Sequence, residues 1–281
     1  MIARVFPRRT KATPIDLYSF HTEPGWFIPD DITEVHVSVT FTWDLPEAEH
    51  LAILWSTVAP VRIGGPATGK PSGDFVPGKY LKPGYVITSR GCPNKCWFCD
   101  VWKREGDIRE LSIKPGINVL DDNLLACSEK HIRAVFKMLK AQKGRKELTG
   151  GLEAARLKDW HVDLLVDLKP KQMFFAYDTP DDYEPLVEAG KKLARANFTV
   201  KSKGLRCYVL IGYPGDIMKD AEKRLNRTLD AGFIPYAMLY RDKTGCYDPA
   251  WRKLQRLWTR PAIIKIGGQR DRDNGSIREM G

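Results

Sequence analysis

The sequence lacks the features that would assign it to the commonest zinc, membrane or secreted classes. It has no second C-x2-C pair and no H-x3-H pair, which a structural zinc site with two separated ligand pairs would need. It has no apolar run long enough to cross a bilayer, so no membrane partner is expected. Residues 1–11 are basic without an apolar segment, which predicts no secretion signal. Six cysteines without such a signal indicate a reducing, cytoplasmic compartment rather than a disulfide framework.

One glycine-rich loop also lacks the residue that nucleotide hydrolysis would require. Gly64, Gly69 and Lys70 fit the G-x4-G-K spacing of a phosphate-binding loop, but Pro71 stands where a Ser or Thr would hold magnesium. Proline has neither that hydroxyl nor a backbone N–H. The loop therefore does not indicate a nucleotide hydrolase.

The composition is that of a globular protein with an excess of positive charge. Of 281 residues, 43% are hydrophobic and 28% charged, and the formal net charge is +10. That charge favours anionic partners, such as nucleic acid or an anionic substrate, but a solubilising surface would carry it equally well. From residue 251 to 281 there are eight Lys or Arg and three Asp or Glu, and the final residues are almost free of apolar side chains. Residues 261–281 are therefore predicted to form a basic, disordered tail.

Three cysteines stand close together at C-x3-C-x2-C spacing. Cys92, Cys96 and Cys99 follow residues 85–88, whose β-branched and aromatic side chains predict a strand. Three thiolates on one short loop can hold three irons of a cubane cluster and leave the fourth iron open to another ligand. A zinc site and a chance spacing among six cysteines are the alternatives.

Strand and helix patterns alternate from Tyr85 onward. This alternation predicts a parallel sheet with right-handed crossovers. Before it, a period-2 segment at 35–43, a helical pattern at 46–58 and a short strand at 61–63 predict a small β-α-β unit. The six predicted strands of the later part are 85–88, 117–120, 148–154, 173–177, 208–211 and 234–240.

The cysteine spacing at the end of a first strand resembles the radical S-adenosylmethionine (radical SAM) superfamily. The resemblance implies an α/β fold, a partial (β/α)6 TIM-like barrel over residues 84–260, preceded by an N-terminal unit at 1–83 and followed by the tail at 261–281. The N-terminal unit resembles a shortened cobalamin-binding domain. The axial-ligand motif D-x-H-x-x-G is not present around His21, so cobalamin is not expected.

The resemblance implies that a [4Fe-4S] cluster on the three cysteines binds SAM, with roles for residues after the first two strands. Phe98 would lie beside the adenine. Asp121 and Asp122 would receive the SAM amino group, since a carboxylate suits an ammonium donor. The alternative for both Asp residues is capping of the helix that follows them.

Further cofactor-binding residues are implied after the later strands. Glu153 and Asp178 stand where the family contacts the SAM carboxylate or ribose, although each could instead cap a helix. The segment from Ile211 to Asp216 resembles the family's G-x-I-x-G-x-x-E motif, with Ile211 packing on adenine and Gly212 allowing close backbone approach.

The predicted function is reductive cleavage of SAM to a 5'-deoxyadenosyl radical, fed by an external one-electron donor of flavodoxin or ferredoxin type. One departure from the family counts against it, because only about twenty residues separate Cys99 from Asp121 and the first helix must be short or lost. Two alternatives therefore stay open. They are a non-enzymatic iron–sulfur protein on a degenerate barrel and a zinc-stabilised nucleic-acid-binding module.

Overall fold

The computed structural model describes residues 1–199 and 204–259, which divide into two compact units. The first unit contains Met1–Arg145 with Lys243–Gly245, and the second contains Lys146–Asp242 and continues from Cys246. The boundary predicted after residue 83 falls inside the first unit. The predicted tail, 261–281, lies outside the described residues.

The N-terminal part of the first unit is a four-stranded parallel sheet. Its order is β2-β1-β3-β4, and α1 connects β3 to β4. The predicted β-α-β unit is thus confirmed, but two strands before it are additional, because two to four residues are too short to show a period. The elements are β1 (Ile2–Val5), β2 (Ser19–Phe20), β3 (Glu34–Ser38), α1 (Leu45–Trp55) and β4 (Val61–Gly64).

This sheet and α1 enclose an apolar core of their own. Val35 and Val37 alternate along β3 with partly exposed residues, and both are buried. Trp55 at the end of α1 is fully buried, and its Nε1 donates to the carbonyl of Thr22 at 2.9 Å. Burial of a large side chain contributes about 1.5–3 kcal/mol, so these side chains stabilise the N-terminal sheet.

The rest of the first unit carries the cysteine loop. β5 pairs in parallel with β8, while β6 pairs antiparallel with β7. The predicted strand at 85–88 is therefore shorter, and Ser89 and Arg90 after it form a separate two-residue strand. The elements are β5 (Tyr85–Val86), β6 (Ser89–Arg90), α2 (Val101–Glu105), β7 (Arg109–Glu110), β8 (Asn118–Val119) and α3 (Glu129–Ala141).

Helix α3 forms because a cap and an apolar stripe agree. The Ser128 hydroxyl accepts a hydrogen bond from the backbone N–H of His131, which satisfies one free donor of the first turn. Ile132, Val135 and Leu139 then recur at helical spacing, and all three are buried.

The second unit is a parallel sheet with helices between its strands. β9 pairs with β10, β10 with β11, and β11 with β12, all in parallel. Along β11 buried and partly exposed residues alternate. The elements are β9 (Glu147–Leu152), α4 (Asp159–Leu168), β10 (Gln172–Ala176), α5 (Tyr183–Arg195), β11 (Leu205–Ile211), α6 (Met218–Asp230), β12 (Ile234–Leu239) and α7 (Pro249–Trp258).

The chain is thus a mixed α/β protein with parallel sheets, and each of the six predicted strands from Tyr85 onward has a counterpart. Within residues 1–199 and 204–259, no helix combines the length and the apolar character that crossing a bilayer requires.

Candidate functional site

The cysteine loop lies directly after β6 in the first unit. Cys92, Cys96 and Cys99 are not in disulfides and are of intermediate burial. The loop is held by its backbone, since Cys92 N–H donates to the Gly106 carbonyl at 3.1 Å and Cys99 N–H donates to the Cys96 carbonyl at 3.2 Å. The Trp102 Nε1 also donates to the Cys96 carbonyl, at 3.0 Å. These three bonds shape the loop through its backbone and do not involve the sulfur atoms.

Gly91, which leads into the first cysteine, is required by its surroundings. Its φ is +87°, in the region that only glycine enters freely. A Cβ added there would lie 2.2 Å from the carbonyl oxygen of Asp107 and 2.8 Å from that of Gly106. The backbone of the loop after α2 thus packs directly on this glycine.

Asp121 fixes the start of the same loop from the end of β8. Its Oδ1 accepts from Thr88 N–H at 2.6 Å, and its Oδ2 accepts from the Thr88 hydroxyl at 2.5 Å and the Ser89 hydroxyl at 2.8 Å. Asp121 is only 1% exposed, and burial raises the pKa of its carboxyl above the ordinary value even though these donors oppose the shift. Its role in the described structure is to hold Thr88 and Ser89.

The next two residues continue along the loop. The carboxylate of Asp122 accepts from Gly91 N–H at 2.9 Å, and the Nδ2 of Asn123 donates to the Cys92 sulfur at 3.5 Å. Burial is the first cause that raises the pKa of Asp122, while the Gly91 bond opposes the shift. Three consecutive residues, Asp121 to Asn123, therefore contact the chain from Thr88 to Cys92.

This geometry corrects the capping alternative. The first helical turn after the two Asp residues is a 3-10 turn, and its capping residue, Asn123, makes no side-chain capping bond. The next helix, α3, is capped by Ser128. Neither Asp121 nor Asp122 caps a helix, because Asp121 accepts from Thr88 and Ser89 and Asp122 accepts from Gly91, all earlier in the chain.

A second polar layer lies behind Thr88. The buried His131 of α3 places its Nε2 3.3 Å from the Thr88 hydroxyl oxygen. Its Nδ1 is 3.7 Å from a carboxylate oxygen of Glu110, and that carboxylate also accepts from Ser128 N–H at 2.7 Å. The anchor of the cysteine loop is therefore supported by side chains from α3 and β7.

The donor set fits an iron–sulfur cluster in its chemistry. Three soft thiol donors lie on one loop, and an amide donor meets one of the sulfurs. Burial raises the pKa of the Cys99 thiol, and the nearby Cys92 adds to that shift. Across the described ranges, no three His, Cys, Asp or Glu side chains are gathered at metal-ligating distances. Cluster binding would take the thiols as thiolates and so release their protons.

Phe98, the residue predicted beside adenine, is partly buried in the same loop. Its ring meets that of Trp97 edge to face, with centroids 5.4 Å apart. Trp97 itself is 54% exposed. The loop thus presents two aromatic rings next to the third cysteine.

The second unit holds the other predicted residues, of which Glu153 is ion-paired and Asp178 is partly buried. Glu153 accepts from Arg156 Nε at 2.6 Å. Asp178 follows β10, and its carboxylate accepts from Leu210 N–H of β11 at 3.0 Å. Burial, with a smaller contribution from Asp182, raises the pKa of Asp178 to about 7.

The predicted Ile211 to Asp216 segment closes on itself at the end of β11. The Asp216 carboxylate accepts from Gly212 N–H at 2.8 Å and from Arg224 of α6 at 2.7 Å. Ile211 is fully buried. A Cβ on Gly212 would lie 2.9 Å from Leu239 and 3.0 Å from the ring of Trp251, so these two side chains make the close approach that this glycine permits.

The remaining three cysteines differ in burial. Cys127 and Cys207 are buried, and burial raises the pKa of Cys127 to about 11. Cys246 is exposed.

Sequence reasoning missed Asn123, Trp102 and the Thr88 anchor. Asn123 stands beside the two predicted Asp residues, but no local sequence pattern indicates its bond to the Cys92 sulfur, 31 residues earlier. In comparisons with known proteins, no family model matches this chain and no curated protein matches it significantly.

Proposed function

We propose that this chain is a radical SAM enzyme in which Cys92, Cys96 and Cys99 hold a [4Fe-4S] cluster. When bound, the cluster supplies the electron that cleaves SAM to methionine and a 5'-deoxyadenosyl radical, which takes a hydrogen atom from the substrate. The observation that carries the proposal is the loop itself. Three cysteines follow β5, which pairs in parallel with β8, and the three residues Asp121 to Asn123 that follow β8 hydrogen-bond to Thr88, Gly91 and Cys92.

The two Asp residues have different parts in this proposal. The Asp121 carboxylate already accepts three hydrogen bonds and is buried, so its role is to hold Thr88 and Ser89 at the start of the cysteine loop. Asp122 accepts a bond from Gly91 and is less buried. Of the two, Asp122 is therefore the residue that would receive the SAM ammonium through a charge-assisted hydrogen bond.

The finer fold in this proposal is the partial (β/α)6 barrel. The alternation of strands and helices and the parallel pairing within each unit support it. The resemblance then assigns Glu153 and Asp178 to SAM. The enclosed side chain of Ile211 and the Trp251 ring over Gly212 give less support to an adenine contact at that segment.

The proposal includes partners and a compartment. The electron would come from an external flavodoxin- or ferredoxin-like donor, and the compartment would be the reducing cytoplasm. A net charge of +10 supports an anionic substrate.

A specific observation favours a second function, an iron–sulfur protein without SAM chemistry. Helix α2, directly after the third cysteine, has only five residues. A shortened helix covers less of a cofactor site than a full one, which would suit an electron carrier or sensor. The zinc-stabilised nucleic-acid-binding module is the further alternative, and metal content distinguishes it.

The first experiment measures metal and SAM cleavage. The protein is reconstituted with iron and sulfide without oxygen, then reduced with dithionite in the presence of SAM. We expect about four irons per chain and formation of 5'-deoxyadenosine. Cys92→Ala, Cys96→Ala and Cys99→Ala should each lose the cluster, whereas the exposed Cys246→Ala should keep it. Stoichiometric zinc and no iron would refute both iron hypotheses, while iron without SAM cleavage would select the electron carrier.

The second experiment tests Asp122 by titrating the reconstituted protein with SAM. A hydrogen bond to a charged group contributes about 1.5–3 kcal/mol, so Asp122→Asn should weaken SAM binding by roughly ten- to a hundredfold. The iron content should not change. Unchanged binding in this variant would remove Asp122 from the SAM site.

A further inference from the structure

The contact between Asn123 and the Cys92 sulfur joins a side chain from the end of β8 to a predicted iron ligand. Asn123 is 4% exposed, and its Nδ2 lies 3.5 Å from the sulfur. An amide N–H is a donor, so the sulfur is the acceptor in this bond.

Both ends of this bond are fixed by backbone. Cys92 is held by its N–H bond to Gly106, and Gly91 before it is held by Asp122. On the other side, the Asn123 carbonyl accepts from Ala126 N–H at 3.2 Å. Asn123 begins a 3-10 turn yet makes no capping bond with its side chain. Its amide nitrogen is therefore directed to the sulfur by the fold rather than by a local turn.

We propose that Asn123 is a positioning residue that donates its amide N–H to the Cys92 thiolate and thereby raises the reduction potential of the cluster. This inference rests on the proposed function, since it concerns the cluster assigned above. Hydrogen bonds to the sulfur ligands are one of the factors that set iron–sulfur potentials. A donor stabilises a more negative thiolate more strongly, so it favours the reduced form over the oxidised form.

Two variants remove the donor in different ways. Asn123→Asp keeps the size of the side chain and replaces the N–H donor with an acceptor. Asn123→Ala removes the amide altogether. Asn94→Ala is the matched control, because Asn94 lies in the same loop, between the first two cysteines, and the amide bond to Cys92 comes from Asn123 instead. Far-UV circular dichroism of each variant establishes that it is folded.

The measurement is the midpoint potential of the reconstituted protein in an anaerobic redox titration followed by electron paramagnetic resonance. In both Asn123 variants we expect the equilibrium constant for one-electron reduction of the cluster to fall about tenfold. This corresponds to a midpoint potential about 59 mV lower than that of the wild type. Iron bound per chain in Asn123→Ala should also fall, since loss of an outer partner commonly weakens metal binding 10–100-fold. The control should match the wild type in both readouts.

The outcomes separate this inference from the proposed function. If the wild type holds no iron, the proposed function fails and the inference fails with it. If the wild type holds iron and the Asn123 variants keep the wild-type potential, the inference alone is overturned. A shift of equal size in Asn94→Ala would also overturn it, since the effect would then belong to the loop as a whole.

Discussion

Removal of the Asp121 carboxylate should loosen the cysteine loop, and the structure sets the size of the effect. In Asp121→Ala the backbone N–H of Thr88 loses its acceptor in a buried place. A buried donor without a partner costs about 1–3 kcal/mol. The hydroxyls of Thr88 and Ser89 can rotate, and Thr88 has His131 3.3 Å away, so their loss is smaller. We expect Asp121→Ala to lower the free energy of unfolding by about 2–4 kcal/mol.

Asp121→Asn should cost much less, about 1 kcal/mol or below. The amide oxygen still accepts from Thr88 N–H, and the amide nitrogen can donate to hydroxyl oxygens that have rotated. Loss of the charge also relieves the desolvation that raises the pKa of this carboxyl. The free energy of unfolding should therefore increase from Asp121→Ala to Asp121→Asn to the wild type if Asp121 acts through hydrogen bonds.

The assay is urea unfolding of the metal-free protein, followed by far-UV circular dichroism. Asp74→Ala is the control, since Asp74 is exposed and a surface substitution of this kind changes stability by at most about 0.5 kcal/mol. The reasoning would be refuted if Asp121→Ala matched that control, or if Asn were as costly as Ala.

Two further predictions concern a glycine and a buried carboxyl. Gly91→Ala should destabilise the protein by about 2 kcal/mol or more, because the new Cβ would clash with backbone oxygens and because alanine is strained at a left-handed φ. Gly215→Ala, with a φ of +85° and open space, should cost only about 1 kcal/mol in the same urea assay, and equal costs would contradict the clash. Asp178, whose folded pKa is about 7 through burial and Asp182, binds its proton more tightly when folded. Its contribution to stability should be full below about pH 4 and fall by at most about 4 kcal/mol as pH rises to about 7. Asp178→Asn should flatten that slope of stability against pH, while the exposed Asp181→Asn should leave it unchanged.

The strands of the second unit could be predicted because they are long and buried. β11 has seven residues in strict alternation of burial, and β10 has a run of three buried side chains. By contrast, the sequence does not predict β1 and β2, because residues 1–31 contain several prolines and show no clear apolar period. Those strands exist through pairing with β3, which is tertiary information.

The cysteine loop was predicted from spacing alone, but its anchoring was not. Sequence reasoning offered two local roles for Asp121 and Asp122, a bound ammonium or the cap of the next helix. In the described structure, both carboxylates instead accept hydrogen bonds from residues earlier in the chain, Thr88 and Gly91. A local pattern carries no signal of that kind, because the partner is more than thirty residues away in sequence.

The register of β5 against β8 explains why these contacts fall where they do. Tyr85 pairs with Asn118 and Val86 with Val119, an offset of 33 residues. The same offset of 33 joins Thr88 to Asp121, so the first anchor continues the strand pairing beyond the strands themselves. At Gly91 and Cys92 the offset is 31, because the loop takes up two extra residues as it turns at the left-handed glycine. The sulfur of Cys92 therefore meets Asn123 as a consequence of parallel register plus one glycine turn. A deletion between Ser89 and Gly91 would separate the two even with every cysteine in place.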